Sequence, residues 1–459
     1  MDLQLNFAIL VGKLISLFLK ISGSGATAAP GLYALKIDPD LVKKLAGKLK
    51  SGSIIISGTN GKTTTARLVS EILSTKYRII HNRQGSNLLR GIASTMILKS
   101  CIAGNLNFDL GVWEIDEATL PEAIYNLDPK KVILINLFRD QLDRYGEVDT
   151  VRGNWQKSLL NLSKNTQLIL NADDPGISFL SKFTKARIFY FGVNDTKINL
   201  PTIDHVADIK YCLNCSTKLI YKSLFSAHLG HYYCPNCNLK RPSPKVYANN
   251  LLFRKDFSTS IKLNVNCQLS IVNCHLPGLY NVYNILAAVA LCSFYKIDLA
   301  EMKIQIQKFS TAFGRFQQIS IGSKSVTIFL IKNPTGANEV LRVLATQNNL
   351  NLLIILNDKI ADGRDVSWIW DTQWEAIIGK VKNISVAGIR GWDMATRLKY
   401  AGLTLSKKYV YEEISYSIAN SLSKLDNNDT LIILPTYTAL LDVQRSLSKL
   451  AGGKKWHEQ

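Results

Sequence analysis

From residue 54 onward the chain alternates short apolar runs with amphipathic stretches. Residues 109–116 (DLGVWEID), 131–137 (KVILINL), 166–174 (TQLILNADD) and 186–192 (ARIFYFG) are apolar almost throughout. Such runs predict strands buried on both faces. Residues 64–73 (TTARLVSEIL) and 151–162 (VRGNWQKSLLNL) carry apolar side chains at helical spacing. This alternation predicts an α/β protein with a mostly parallel sheet covered by helices. The rhythm breaks over 202–244 and resumes as a helix over 281–295 (NVYNILAAVALCSFY). Near 319 a second series begins, with strand-like runs at 326–334, 351–358, 384–389 and 430–435. It reads as a separate C-terminal α/β domain.

The first twenty residues, MDLQLNFAILVGKLISLFLK, predict a helix with Phe7, Leu10, Leu14, Leu17 and Phe18 near one face. We expect that face to pack against the protein's own body, with loose membrane-surface contact as the alternative. A secretory signal fits poorly, because no early basic region occurs, Lys13 interrupts the apolar run and no clear cleavage site follows. No run of about 18 apolar residues forces a membrane span. Residues 23–31 (GSGATAAPG) read as a linker.

Net charge is +20, with Lys and Arg scattered along the chain. This fits either a solvated basic surface or an anionic partner: nucleic acid, a polyphosphate substrate or acidic lipid. Residues 218–233 (KLIYKSLFSAHLGHYY) interleave basic and aromatic residues, but no groove-length stripe appears, so nucleic acid is not expected.

Cys212, Cys215, Cys234 and Cys237 form C-x2-C-x18-C-x2-C, a spacing that can close a tetrahedron of thiolates around Zn²⁺. Four thiolates leave no open position, so the zinc is expected to be structural. His228 and His231 are then spare. The dispersed Cys101, Cys267, Cys274 and Cys292 read as core thiols. The pattern suggests a reducing, cytoplasmic setting.

The chemistry-bearing segment is SGTNGKTTT (57–65), between an apolar strand and an amphipathic helix. In a Gly-rich turn the backbone N–H groups of Gly58, Thr59, Asn60 and Gly61 can face phosphate oxygens. Lys62 would reach the terminal phosphates of ATP. The Thr63 hydroxyl would sit on Mg²⁺, with Thr64 beside it. The longer G-x-x-x-x-G-K-[ST] loop would need a glycine at position 56, which is Ile56.

G-T-N-G-K-T is the form seen in Mur ligases, and further segments resemble that family. GVWEIDEATL resembles the strand end whose acid, here Glu114, holds Mg²⁺. NLFRDQLDRYG (136–146) and LNADDP (170–175) resemble its next motifs. GLYNVYNILAA (278–288) resembles a helix whose Asn, here Asn281, contacts the nucleotide. FGRFQ resembles a turn supplying a phosphate-binding Arg, here Arg315. Departures occur: a family His is Gln141 in one motif and Tyr280 in another, and the nearest candidate for the carbamylated Lys is Lys157.

A zinc ribbon inserted in the central domain resembles the MurT subunits of lipid II isoglutaminyl synthase, as do residues 23–46 and 137–150. So do 332–344 (KNPTGANEVLRVL), 356–375 and 433–447 in the C-terminal part, where Asn333 and Asn338 are candidate nucleotide or carboxylate contacts. The resemblance implies a Mur-ligase-like central domain at 51–318 with a ribbon at 202–244. It also implies an N-terminal helix and linker at 1–50 and a MurT-type domain at 319–459. It implies a GatD-like glutaminase partner, lipid II as substrate, and work in the cytoplasm or at the inner face of the plasma membrane. It further implies that an Asp of DGRDVSWIWD serves the partner's catalytic triad. Asp365 is favoured over Asp362 and Asp371, and local N–H capping is the competing explanation for each. The implied reaction is ATP-dependent amidation of a D-glutamate α-carboxylate. The alternative is a conventional Mur or folylpolyglutamate-type amino-acid ligase.

Overall fold

The computed structural model describes residues 2–22, 28–83, 86–140, 148–203, 206–310, 316–403 and 405–450. The N-terminal region carries α1 (Leu3–Ile21), α2 (Ala29–Ile37) and α3 (Leu41–Ala46). The segment read as a linker is partly helical, since α2 begins at Ala29 with Pro30 in its first turn.

A nine-stranded sheet follows. Its parallel part contains β1 (Ser53–Ser57), β2 (Ile79–His81), β3 (Leu110–Glu114), β4 (Lys131–Leu134), β5 (Gln167–Asn171) and β6 (Arg187–Val193). The hairpin of β7 (Ile220–Ser226) and β8 (Leu229–Tyr233) stands outside it. An antiparallel meander of β9 (Val246–Phe253), β10 (Thr259–Val265) and β11 (Gln268–Cys274) extends it, giving the order β11-β10-β9-β6-β5-β4-β1-β3-β2. The apolar-run pattern did not reveal this meander, because β9 and β11 mix buried and exposed residues and the buried β10 carries Thr259, Ser260, Lys262 and Asn264 among its apolar residues.

The central parallel strands β1, β3, β4 and β5 are apolar through their middles because both faces are covered there. Ile54 and Ile56 join one apolar layer with the helix Gly278–Cys292 and with α4 (Lys62–Leu73), while Ile55 joins the opposite layer. That second layer is built from α1–α3, α5 (Leu89–Lys99) and neighbouring helices. The N-terminal helices are therefore part of the body. At their closest approach the Gly31 N–H donates to Ser94 Oγ at 2.8 Å, and a Cβ on Gly31 would lie 2.0 Å from Arg90 O.

A second, six-stranded sheet holds β12 (Phe316–Ile321), β13 (Lys324–Phe329), β14 (Leu350–Ile355), β15 (Val381–Ala387), β16 (Val410–Tyr411) and β17 (Thr430–Pro435), in the order β12-β13-β17-β14-β15-β16. Its central strands alternate between two apolar layers, with Leu352 and Ile354 on one side and Leu353 and Ile355 on the other.

Two expectations are corrected. On α1 the buried face is Leu5, Ala8, Ile9, Gly12 and Ser16, whereas Phe7, Leu10, Leu14, Leu17 and Phe18 are exposed. Ala8, Gly12 and Ser16 on the buried face allow the close approach to α2 and α5, since a Cβ on Gly12 would lie 3.1 Å from Ile97 and 3.3 Å from Pro30 O. At 19 residues, α1 is also long and apolar enough to cross a membrane by length and composition, despite Lys13. Among the dispersed cysteines, Cys274 and Cys292 are core thiols, but Cys101 and Cys267 are exposed, each lying in a turn.

Candidate functional site

The turn between β1 and α4 lies at the C-terminal edge of the parallel strands, where open α/β sheets bind ligands. Gly58 has φ +144° and Gly61 has φ +88°, both in the region that favours glycine. A Cβ on Gly61 would lie 2.0 Å from Asn284 Oδ1, so that helix residue closes the back of the turn. Asn136, just after β4, clamps the front. Its Oδ1 accepts from the Asn60 N–H at 2.9 Å and its Nδ2 donates to Asn60 O at 3.1 Å. The Thr59 N–H donates to Asn136 O, and Thr59 Oγ1 accepts from the Phe138 N–H at 2.9 Å.

Register brings the acid to the loop. Parallel pairing sets Ile56 opposite Glu114, so Glu114 ends β3 beside the turn. Thr63 Oγ1 donates to Glu114 Oε1 at 2.9 Å. A hydroxyl and a carboxylate oxygen at this separation suit a hard divalent cation, so the pair fits Mg²⁺. Asn82 fixes the acid's backbone by donating to Glu114 O and accepting from its N–H.

Lys62 is buried and points back at the loop. Its Nζ donates to Gly58 O at 2.6 Å and to Glu117 Oε2 at 2.7 Å. Burial opposes charge on both partners. The ion pair outweighs it, holding Lys62 above its ordinary value and Glu117 below its own, with Asp116, Glu114 and Lys332 adding to the field.

The C-terminal domain meets the loop directly. Asn333 Nδ2 donates to Asn60 Oδ1 at 3.0 Å, and Asn333 Oδ1 caps its own helix by accepting from the Gly336 N–H. Lys332 Nζ pairs with Asp140. A cleft of about 920 Å³, counting its open mouth, lies between the domains. Asn60, Gly61, Thr64, Asn281, Lys332 and Glu339 are among its walls. Tyr280 also lines it, and Asn281 Nδ2 donates to Pro277 O at 2.8 Å. Asn338 departs from expectation. It is buried and accepts from the Gln373 N–H inside its own domain. Arg315 and Gln141 lie outside the described residues.

A second pocket of about 470 Å³ shares Lys332 with the first and gathers Asp362, Asp365 and Asp371 beside Arg139, Asn333 and Trp368. The three acids differ in what they touch. Buried Asp362 accepts from the Thr438 N–H at 2.7 Å and from its hydroxyl, and burial raises its carboxyl above the usual range. Asp371 lies 3.8 Å from Arg139. Asp365 is exposed, with one oxygen accepting from the Ser367 N–H at 2.8 Å.

The four clustered thiols lie within 4.8 Å of one another, with Cys212 and Cys237 Sγ 3.5 Å apart and Cys215 and Cys234 Sγ 3.4 Å apart. A tetrahedron of thiolates about 2.3 Å from zinc has similar edges. The Asn214 N–H points at Cys212 Sγ, and the Thr217 hydroxyl holds Cys215 down at about 6. The donor set therefore fits a metal ion. Neither histidine joins it: His228 is buried against Phe138 and accepts from the Asp208 N–H, and His231 contacts Val193 O.

The profile of the Mur ligase middle domain matches residues 56–292, and that of the MurT ligase C-terminal domain matches residues 330–440. The chain is 32% identical over 447 residues to the lipid II isoglutaminyl synthase (glutamine-hydrolyzing) subunit MurT of Staphylococcus aureus strain COL, covering 96% of this chain and 97% of that one. The chain belongs to the MurT family. The MurT subunit of Streptococcus pneumoniae strain R6 is also 32% identical, with 98% of both chains covered. Solved Mur-type ligases share the fold. A pseudomurein peptide ligase type C from Methanothermus fervidus has a TM-score of 0.67 at 22% identity, covering 89% of this chain and 80% of that one. MurF from Acinetobacter baumannii has a TM-score of 0.65 at 15% identity, covering 91% of this chain and 80% of that one.

Several site residues were not singled out from the sequence. Asn284 follows Asn281 by three positions on one helix and was legible as its same-face neighbour, whereas Glu117 lies past the end of β3 and had no such signal. Asn136 opens the NLFRDQLDRYG motif, and Lys332 sits beside Asn333. The pairing of Glu339 with Ser226 of β7, at 2.7 Å, joins distant segments and had no local signal.

Proposed function

We propose that the chain is the ATP-consuming subunit of a lipid II isoglutaminyl synthase, working with a GatD-like glutaminase. The observation that carries this is the adjacency of two pockets. The nucleotide-type cleft, walled by Asn60, Gly61 and Thr64 of the loop, and the pocket holding Asp365 share Lys332 as a wall residue. An activated carboxyl and an incoming ammonia need such adjacency.

The α-carboxylate of D-glutamate in the lipid II stem attacks the γ-phosphorus of ATP, and the bond to ADP breaks. Ammonia from the partner then attacks the acyl carbon, phosphate leaves, and the nitrogen loses a proton to give D-isoglutamine. Asn136 holds the Thr59 and Asn60 N–H groups, so the N-terminus of α4, from Gly61 to Thr64, cradles phosphate oxygens. Lys62 exchanges Glu117 for the terminal phosphates and neutralises charge as it develops. Arg315 is assigned the same task from the family motif, and Asn281 and Asn333 contact the nucleotide. Thr63 and Glu114 would hold Mg²⁺, which would supply charge compensation between the phosphates. Asp365 has an exposed carboxylate and supplies the acid that orients the glutaminase histidine. Cys212, Cys215, Cys234 and Cys237 would hold Zn²⁺, which would brace the ribbon. We place the ATP-binding unit at 51–318 and the partner-facing unit at 319–459.

The amino-acid ligase reading is less well supported. Lys157 is exposed on the helix Val148–Leu159. Trp155, two positions earlier and so on the other side of that helix, is the residue that reaches Glu117 O.

Asp365→Asn separates the two half-reactions. The expected outcome is a loss of glutamine-dependent amidation on the order of 10²-fold or more, with amidation from added ammonium salt retained. Equal loss with both nitrogen sources would overturn the assignment of Asp365.

A further inference from the structure

We infer that α1 is a lipid-docking helix that lays its outer face on an anionic bilayer. Leu3, Phe7, Leu10, Leu14, Leu17, Phe18 and Ile21 are all exposed. At 100° per residue they fall within about 100° of arc and form one unbroken apolar stripe. The opposite face is committed, with Leu5, Ala8, Ile9 and Gly12 buried against α2 and α5. Lipid can therefore reach one side of the helix only, which favours lying in the interface over spanning it.

The flanks indicate what covers the stripe. Lys13 and Lys20 border it on one side, and α1 contains no Asp or Glu. The capping Asp2 is already paired with Lys44. On neighbouring α2, exposed Leu32 and Tyr33 lie near Lys36, whose ammonium sits over the Tyr33 ring. Two copies joined through this stripe would bring lysines together with no acid to answer them, which coiled-coil flanks avoid. An anionic bilayer answers all of them. The inference deepens the proposed function, since a substrate carried on a lipid is met at that surface.

The test is sedimentation of the full chain, alone and with its glutaminase, with vesicles of phosphatidylcholine or of phosphatidylcholine and phosphatidylglycerol, all lacking lipid II. The chain is expected to sediment with the anionic vesicles and to be released by high salt. Leu14→Glu with Phe18→Glu, both at exposed positions, should abolish sedimentation. Lys13→Gln with Lys20→Gln should weaken it on the order of tenfold. Both variants should still amidate a water-soluble stem-peptide substrate, so failure of docking and failure of the reaction are read separately. A chain that ignores anionic vesicles overturns the inference. So does a dimer in solution that Leu14→Glu with Phe18→Glu converts to monomer, which would assign the stripe to a second copy.

Discussion

At the residue scale the buried Lys62–Glu117 pair decides how the loop rests and how it responds to nucleotide. Removing one member of a buried pair strands the other, at a cost of about 3–5 kcal/mol. Glu117→Gln should therefore lower the melting temperature without nucleotide. Mg-ATP should restore more of it than it adds to the unaltered chain, because phosphates replace the lost carboxylate. Equal thermal shifts in the two proteins would contradict the exchange. His81 makes a separate prediction. Burial, with Arg83 and Arg67 adding, depresses it from 6.5 to about 3. The unfolded chain thus binds the extra proton first, and stability falls as pH drops from 6.5 toward 3, by at most about 1.4 kcal/mol per pH unit. His81→Gln should flatten that limb of a denaturation curve. At this scale the loop was legible in the sequence because its residues are contiguous. Glu117 was not singled out, because its partner is fixed by the β1–β3 register and by a turn.

Among the elements, the ribbon hairpin does more than carry cysteines. Ser226 at the end of β7 donates to Glu339 on the helix Pro334–Ala345, and Arg342 of that helix reaches Phe225 O. Arg241, just past the last cysteine, reaches Asp173 in the central body, which also accepts from the Tyr283 hydroxyl at 2.8 Å. The ribbon therefore touches both sides of the nucleotide-type cleft. Cys234→Ser, or chelation of the metal, should lower thermal stability and raise KM for ATP; calorimetry and steady-state kinetics with ATP varied check both. Retention of KM would confine the ribbon to a local role. A second element-scale test is Gly31→Ala. It forces a Cβ against Arg90 O and should cost about 1–3 kcal/mol in denaturant unfolding. The strands buried on both faces could be read from their apolar runs. The β9–β11 meander could not, since exposed positions on β9 and β11 and polar residues on β10 dilute that signal, and the outward face of α1 was hidden because periodicity locates a stripe without saying which side is covered.

Over the whole molecule, the two sheets come together around a shared seam at Asn60, Asn333, Lys332 and Asp140. The cleft and the acidic pocket lie on either side of it, and the apolar stripe of α1 lies on a separate exposed face. The motifs announced which family builds such a seam, but the contacts across it depend on pairs more than 190 residues apart and on no local pattern. The most direct test combines the purified chain, its glutaminase, lipid II, glutamine and Mg-ATP, and reads the stem peptide by mass spectrometry. The account predicts one glutamyl carboxylate converted to carboxamide per ATP consumed, and a loss on the order of 10²-fold or more in Lys62→Ala. ATP turnover with every carboxylate left unamidated, or amidation unaffected by Lys62→Ala, would contradict it.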